Sequence, residues 1–141
     1  MAIRERWKGT RPILLDTETV VEEVLHTIET REAIRASYLF GSRRRGGGSP
    51  QSDVDLAIQT DDTFTEEDLF DLRLDLSRAI GSSRIDVVWL NRADPVISFE
   101  VVQTGRCLLY RDPDELNEME RLIERRFWEY RLYLRYRTKG G

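Results

Sequence analysis

The stretch Ala36-Ser37-Tyr38-Leu39-Phe40-Gly41-Ser42, followed after ten further residues by Asp53-Val54-Asp55-Leu56-Ala57-Ile58, decides how this chain folds. Its first part is a short apolar run that stops at a glycine, as a buried strand does. Its second part alternates, which puts Asp53 and Asp55 on one face of a second strand and Val54, Leu56 and Ile58 on the other. Between them, Gly41 to Ser52 carries four glycines, Pro50 and three arginines without periodicity, and reads as a loop.

Working outward, Val20, Val21, Val24, Leu25 and Ile28 recur at helical spacing and predict a helix from about Thr17 to Arg35. On the other side, Thr65-Glu66-Glu67-Asp68 resembles a capping box. Leu69, Leu72, Leu76 and Ile80 carry that helix to a stop at Gly81. Arg84 to Leu90 reads as a third strand, with Asp86 facing away from Ile85, Val87 and Trp89. Asp94-Pro95 caps a helix that runs through about Thr104 to Gly105, and Cys107 to Tyr110 forms a fourth short strand. Leu116, Met119, Ile123, Phe127, Tyr130 and Leu134 then mark one inward stripe of a long C-terminal helix over about 113–137. Alternating helices and strands predict an α/β (α+β) domain, a small mixed sheet flanked by helices. At 141 residues there is room for one core, so residues 1–141 read as a single domain with its core over about 17–110.

Composition narrows the chemistry. A single Cys107 and a single His26 exclude a disulfide framework and a zinc site built from cysteine and histidine. Any metal must be held by oxygen, which favours Mg²⁺ or Mn²⁺. No apolar run approaches a membrane span, and Met1 to Pro12 has no hydrophobic core segment of a secretory signal, so the expected compartment is the cytoplasm. The net charge of -4 argues against stable nucleic-acid binding by the whole surface.

The candidate chemistry lies in Gly41, Ser42, Asp53, Asp55 and Asp86. Two carboxylates one residue apart on a strand point the same way, and a third from a neighbouring strand completes an oxygen cluster. Such clusters hold two metal ions that clamp the attacking and leaving oxygens of a phosphoryl or nucleotidyl transfer. Gly41 lets backbone approach a ligand closely, the Ser42 hydroxyl can donate to phosphate, and Arg43, Arg44 and Arg45 add positive charge nearby. Structural readings compete at several positions: Asp86 as a surface partner of Arg84, the arginines as a solvated loop, His26 as an exposed helix residue and Cys107 as a small core residue.

Gly41-Ser42-x10-Asp53-x-Asp55 resembles the signature of the DNA polymerase β-like nucleotidyltransferase superfamily. Phe40-Gly41-Ser42-Arg43-Arg44-Arg45-Gly46 with Ser52-Asp53-Val54-Asp55-Leu56 resembles its minimal nucleotidyltransferase (MNT) branch, with Arg44 standing where alanine is more usual. The resemblance implies the minimal nucleotidyltransferase fold, catalysis by Ser42, Asp53, Asp55 and Asp86, and Mg²⁺ held by Asp53, Asp55 and Asp86. It implies ATP as substrate, its phosphates held by Gly41 and Ser42; Arg45, from the charge of the arginine run, is a further candidate phosphate contact. Short members of the branch are antitoxins of HEPN RNase toxins, so a HEPN toxin is the implied partner, in a hetero-oligomer, and a toxin tyrosine the implied acceptor of AMP. The alternatives are adenylylation of a small molecule of the aminoglycoside type, and an antitoxin that inhibits by occlusion without chemistry. The C-terminal helix adds Trp128, Tyr133 and Tyr136 beside the inward stripe, flanked by arginines, a composition favoured at protein interfaces.

Overall fold

The structure, a computed structural model, describes residues 10–43 and 53–139, with the side chains of Ser42 and Lys139 outside that description. Helix α1 (Thr17–Ile28) starts at Asp16, whose carboxylate accepts from the Thr19 N–H at 2.8 Å. Strand β1 (Ile34–Phe40) follows, then a 3₁₀ turn over Gly41–Arg43 and strand β2 (Val54–Thr60). Helix α2 (Glu66–Ile80) opens on the capping box between Thr65 and Asp68 and closes on Gly81, whose φ of 76° is the left-handed conformation that glycine adopts at no steric cost. Strand β3 (Ile85–Trp89), helix α3 (Pro95–Thr104, capped by Asp94), strand β4 (Arg106–Tyr110) and helix α4 (Pro113–Lys139) complete the order.

The four strands lie in the order β3-β2-β1-β4, with β1 antiparallel to β2 and β4 and β3 parallel to β2. Helices cover both faces. Val20, Val24 and Ile28 of α1 and Leu72 and Leu76 of α2 pack on Leu39, Val54, Leu56 and Ile58. Val101 of α3 and Met119 and Ile123 of α4 pack on Ala36, Tyr38 and Ala57 of the opposite face. The mixed sheet between helical layers agrees with the sequence expectation, and no described helix is long and apolar enough to cross a membrane.

Three expectations are corrected. First, α1 ends at Ile28 rather than near Arg35, because Arg111, about eighty residues away in sequence, gathers the carbonyls beyond it. Its guanidinium donates to those of Ile28, Glu29, Arg31 and Ile34 at 3.2, 2.9, 3.1 and 3.0 Å. Groups that would have continued the helix are bonded elsewhere. Second, Cys107 is exposed. The β1–β4 ladder skips a residue between Ser37 and Tyr38, so Leu108 and Leu109 both turn to the α1/α2 side and Cys107 is left on the surface of the edge strand. Third, the inward stripe of α4 stops early: Phe127 stacks on Phe99 with ring centroids 3.9 Å apart, but Tyr130 and Leu134 are exposed because the helix has run past the core.

Candidate active site

The site forms where β1 ends and β2 and β3 begin. In the parallel β2–β3 ladder Asp55 lies opposite Asp86, and in the antiparallel β1–β2 ladder Phe40 lies opposite Asp55. Gly41, the next residue, therefore abuts Asp55. It has φ +74°, and a Cβ placed there would stand 2.2 Å from Asp55 Oδ2. Both the backbone conformation and the space demand glycine. Asp53 precedes β2 and is buried at 4% exposure, while the Val54 N–H donates to the Arg84 carbonyl at 2.9 Å and ties the start of β2 to the start of β3.

Each of Asp53, Asp55 and Asp86 contributes one carboxylate oxygen, and these oxygens all lie within 4.8 Å of one another. Two ionised carboxylates at that separation repel by about 3 kcal/mol at an effective dielectric of about 20. A divalent cation reverses the sign of that energy, and an all-carboxylate oxygen set is the chemistry that Mg²⁺ and Mn²⁺ prefer. The cluster fits such an ion.

The sequence-derived site residues fall into three groups. The structure brings Gly41, Asp53, Asp55 and Asp86 together. Ser42 lies in the 3₁₀ turn beside them, with its side chain outside the description. Arg45, with Arg44, lies outside the described residues. Arg43 turns inward instead of joining a solvated loop: it is 3% exposed and its Nη1 donates to the Leu15 carbonyl at 3.3 Å. Burial pulls its guanidinium below its ordinary pKa, while the charge of Asp53 opposes that shift. Nothing local in the sequence signals this inward placement; it follows from the turn after β1, which brings Arg43 near the charge of Asp53. Arg84 is likewise buried and bonds Thr10 through Nε at 2.8 Å, so it braces the N-terminal segment. His26 is exposed on α1, with its imidazole 3.7 Å from Glu29.

Residues 22–114 match the family Polymerase beta, Nucleotidyltransferase. No curated protein sequence matches the chain significantly. Among solved structures, a toxin–antitoxin with AMP-PNP is 23% identical, covering 85% of this chain and 93% of the matched one with a TM-score of 0.65. A complex of tri-AMPylated Shewanella oneidensis HEPN toxin with MNT antitoxin is 20% identical, covering 88% and 93% with a TM-score of 0.63. A structure assigned as a minimal nucleotidyltransferase is 29% identical, covering 65% of this chain and 95% of the other with a TM-score of 0.56. These likenesses establish a shared fold.

Proposed function

This chain belongs to the polymerase beta nucleotidyltransferase family, and on that premise we propose that it transfers AMP from ATP to a tyrosine of a cognate HEPN RNase toxin, as the antitoxin of that pair. The observation that carries the proposal is the convergence of Asp53, Asp55 and Asp86 against Gly41 at the strand ends. The AMPylated toxin held in one similar complex, and the ATP analogue in another, supply the acceptor and donor classes.

In this reading Asp53, Asp55 and Asp86 hold magnesium. Held there, a divalent cation would neutralise phosphate charge and lower the pKa of the acceptor hydroxyl. The Gly41–Arg43 turn, with no side chain at Gly41, brings backbone close to the triphosphate, and Ser42 and Arg45 bind its oxygens. Asp86, reaching the cluster from the neighbouring strand, takes the proton as the tyrosine oxygen attacks the α-phosphorus. The new bond is tyrosine oxygen to α-phosphorus; the bond between that phosphorus and the α–β bridging oxygen breaks, and pyrophosphate leaves with the electron pair. The protein's contribution is positioning and charge compensation.

The test is mass spectrometry of the toxin encoded beside this chain after incubation with the chain, ATP and Mg²⁺. The expected result is one AMP unit added per modified tyrosine, abolished by Asp53→Asn or Asp55→Asn in folded protein. An unmodified toxin with wild-type enzyme overturns the proposal. Toxin neutralisation that survives both substitutions favours occlusion.

A further inference from the structure

Helix α4 has two halves of opposite charge. Residues 113–124 carry five carboxylates and one arginine; residues 125–139 carry five arginines, one lysine and Glu129 as the sole acid. The second half leaves the core. Every residue from Trp128 to Thr138 is exposed, including Leu132 at 54%, Tyr133 at 55% and Tyr136 at 76%. About three turns of helix with apolar side chains on all sides are marginal alone in water and are normally covered by another surface.

The first half of the same helix offers such a surface. It forms one wall of an open groove of about 440 Å³, lined by Leu90, Asn91, Glu118, Met119, Leu122 and Arg126 among others. A single stripe runs from that groove onto the protruding end: Glu118, Leu122, Arg126, Glu129, Tyr133 and Arg137, spaced four, four, three, four and four residues apart. Side chains at these spacings share one helix face. Read backwards, the stripe complements itself, since acid meets base at 118 and 137 and at 126 and 129, while apolar Leu122 meets aromatic Tyr133. A parallel partner would set Glu118 on Glu118 and Arg137 on Arg137.

We propose that the chain forms a twofold-symmetric dimer through antiparallel α4 helices, with Glu118, Leu122 and Arg126 of each copy facing Arg137, Tyr133 and Glu129 of the other. The symmetry makes each contact occur twice, so each substitution acts twice. The protruding turns of one copy occupy the groove of the second, which covers Tyr133 and joins basic end to acidic half.

Sedimentation equilibrium of the full chain tests this. Wild type is expected to show a concentration-dependent monomer–dimer equilibrium. Glu118→Arg and Arg137→Glu each replace two attractive pairs by two repulsive ones and are expected to weaken the dimer by about tenfold or more. An equimolar mixture of the two variants pairs Arg at 118 with Glu at 137 in one place and native Glu118 with native Arg137 in the other, so dimer returns. That recovery also excludes misfolding of either variant. A wild-type chain that stays monomeric at about 100 μM overturns the proposal, because even a weak specific association near 10 μM would be populated there. So does failure of the mixture to recover. A chain that is monomeric alone and uses the same residues only with a toxin or an RNA assigns the surface to that partner and equally overturns self-association.

Discussion

Gly41→Ala separates two costs that coincide at one residue. The first is the backbone: φ of +74° costs an L residue about 1–2 kcal/mol. For a chain of 141 residues this corresponds to about 3–7 °C in Tm. The second is local: the new methyl would stand 2.2 Å from Asp55 Oδ2, so that carboxylate must retreat by about 1 Å to reach ordinary contact distance. A displacement of that size at reacting groups costs on the order of a hundredfold in rate. Gly81→Ala is the matched control, because Gly81 has φ +76° at the far end of α2, and a methyl added there would meet nothing within 4 Å. Calorimetry should give similar falls in Tm for the two variants. The rate of AMP transfer should fall on the order of a hundredfold for Gly41→Ala alone. A Gly41→Ala enzyme that transfers at the wild-type rate, or a Gly81→Ala enzyme that loses as much, refutes the assignment of Gly41 as the residue that makes room for Asp55.

Arg111→Met should destabilise the fold by about 2–3 kcal/mol in urea unfolding, since four carbonyls lose a charged donor; a loss below about 0.5 kcal/mol would place those carbonyls in water instead. Tyr38 concerns pH. Burial first, and then its hydrogen bond to Glu120 and the charge of that group, hold its hydroxyl well above the ordinary tyrosine pKa of about 10. The unfolded chain then releases this proton first, so the stability is whole below about pH 10 and falls as pH rises beyond it. Tyr38→Phe should flatten that alkaline fall in Tm, and parallel Tm profiles for the two proteins would show that Tyr38 is not its source.

What was legible in the sequence was what is encoded locally. Thr65 with Asp68, Gly81, and Asp94 before Pro95 each bond or turn within a few residues of themselves, and α2 and α3 begin and end where those signals stand. Alternation alone put Asp53 and Asp55 on one face. The end of α1 was not legible because its carbonyls are claimed by Arg111 from beyond β4. The exposure of Cys107 depends on a skipped residue in the β1–β4 ladder, which no spacing within β4 records. Periodicity carried the apolar stripe of α4 through Tyr130 and Leu134, but period reports which residues share a face and not whether anything lies opposite. The burial of Arg43 was not legible for the same reason: its inward turn is a property of the chain around Leu15 and Asp53.

The geometry of the acidic cluster is set less by the acids than by the apolar residues between them. Asp55 faces Asp86 only in the register that pairs Val54 with Ile85 and Leu56 with Val87. Side chains alternate along a strand, so a slip of one residue would turn Val54, Leu56 and Ile58 out of the α1/α2 layer and the carboxylates into it. Each of these fully buried side chains contributes about 1.5–3 kcal/mol relative to exposure. Together they supply about 5–9 kcal/mol, which offsets most of the repulsion of about 3 kcal/mol that each of the three carboxylate pairs would otherwise bring to bear on the strand ends. The antiparallel ladder with β1 is fixed by the same means, since Leu39 lies opposite Leu56 in that layer, and this in turn delivers Gly41 to Asp55. The three like charges are thus held close by a hydrophobic register before any cation arrives, which is the preorganisation that a metal-dependent transfer needs.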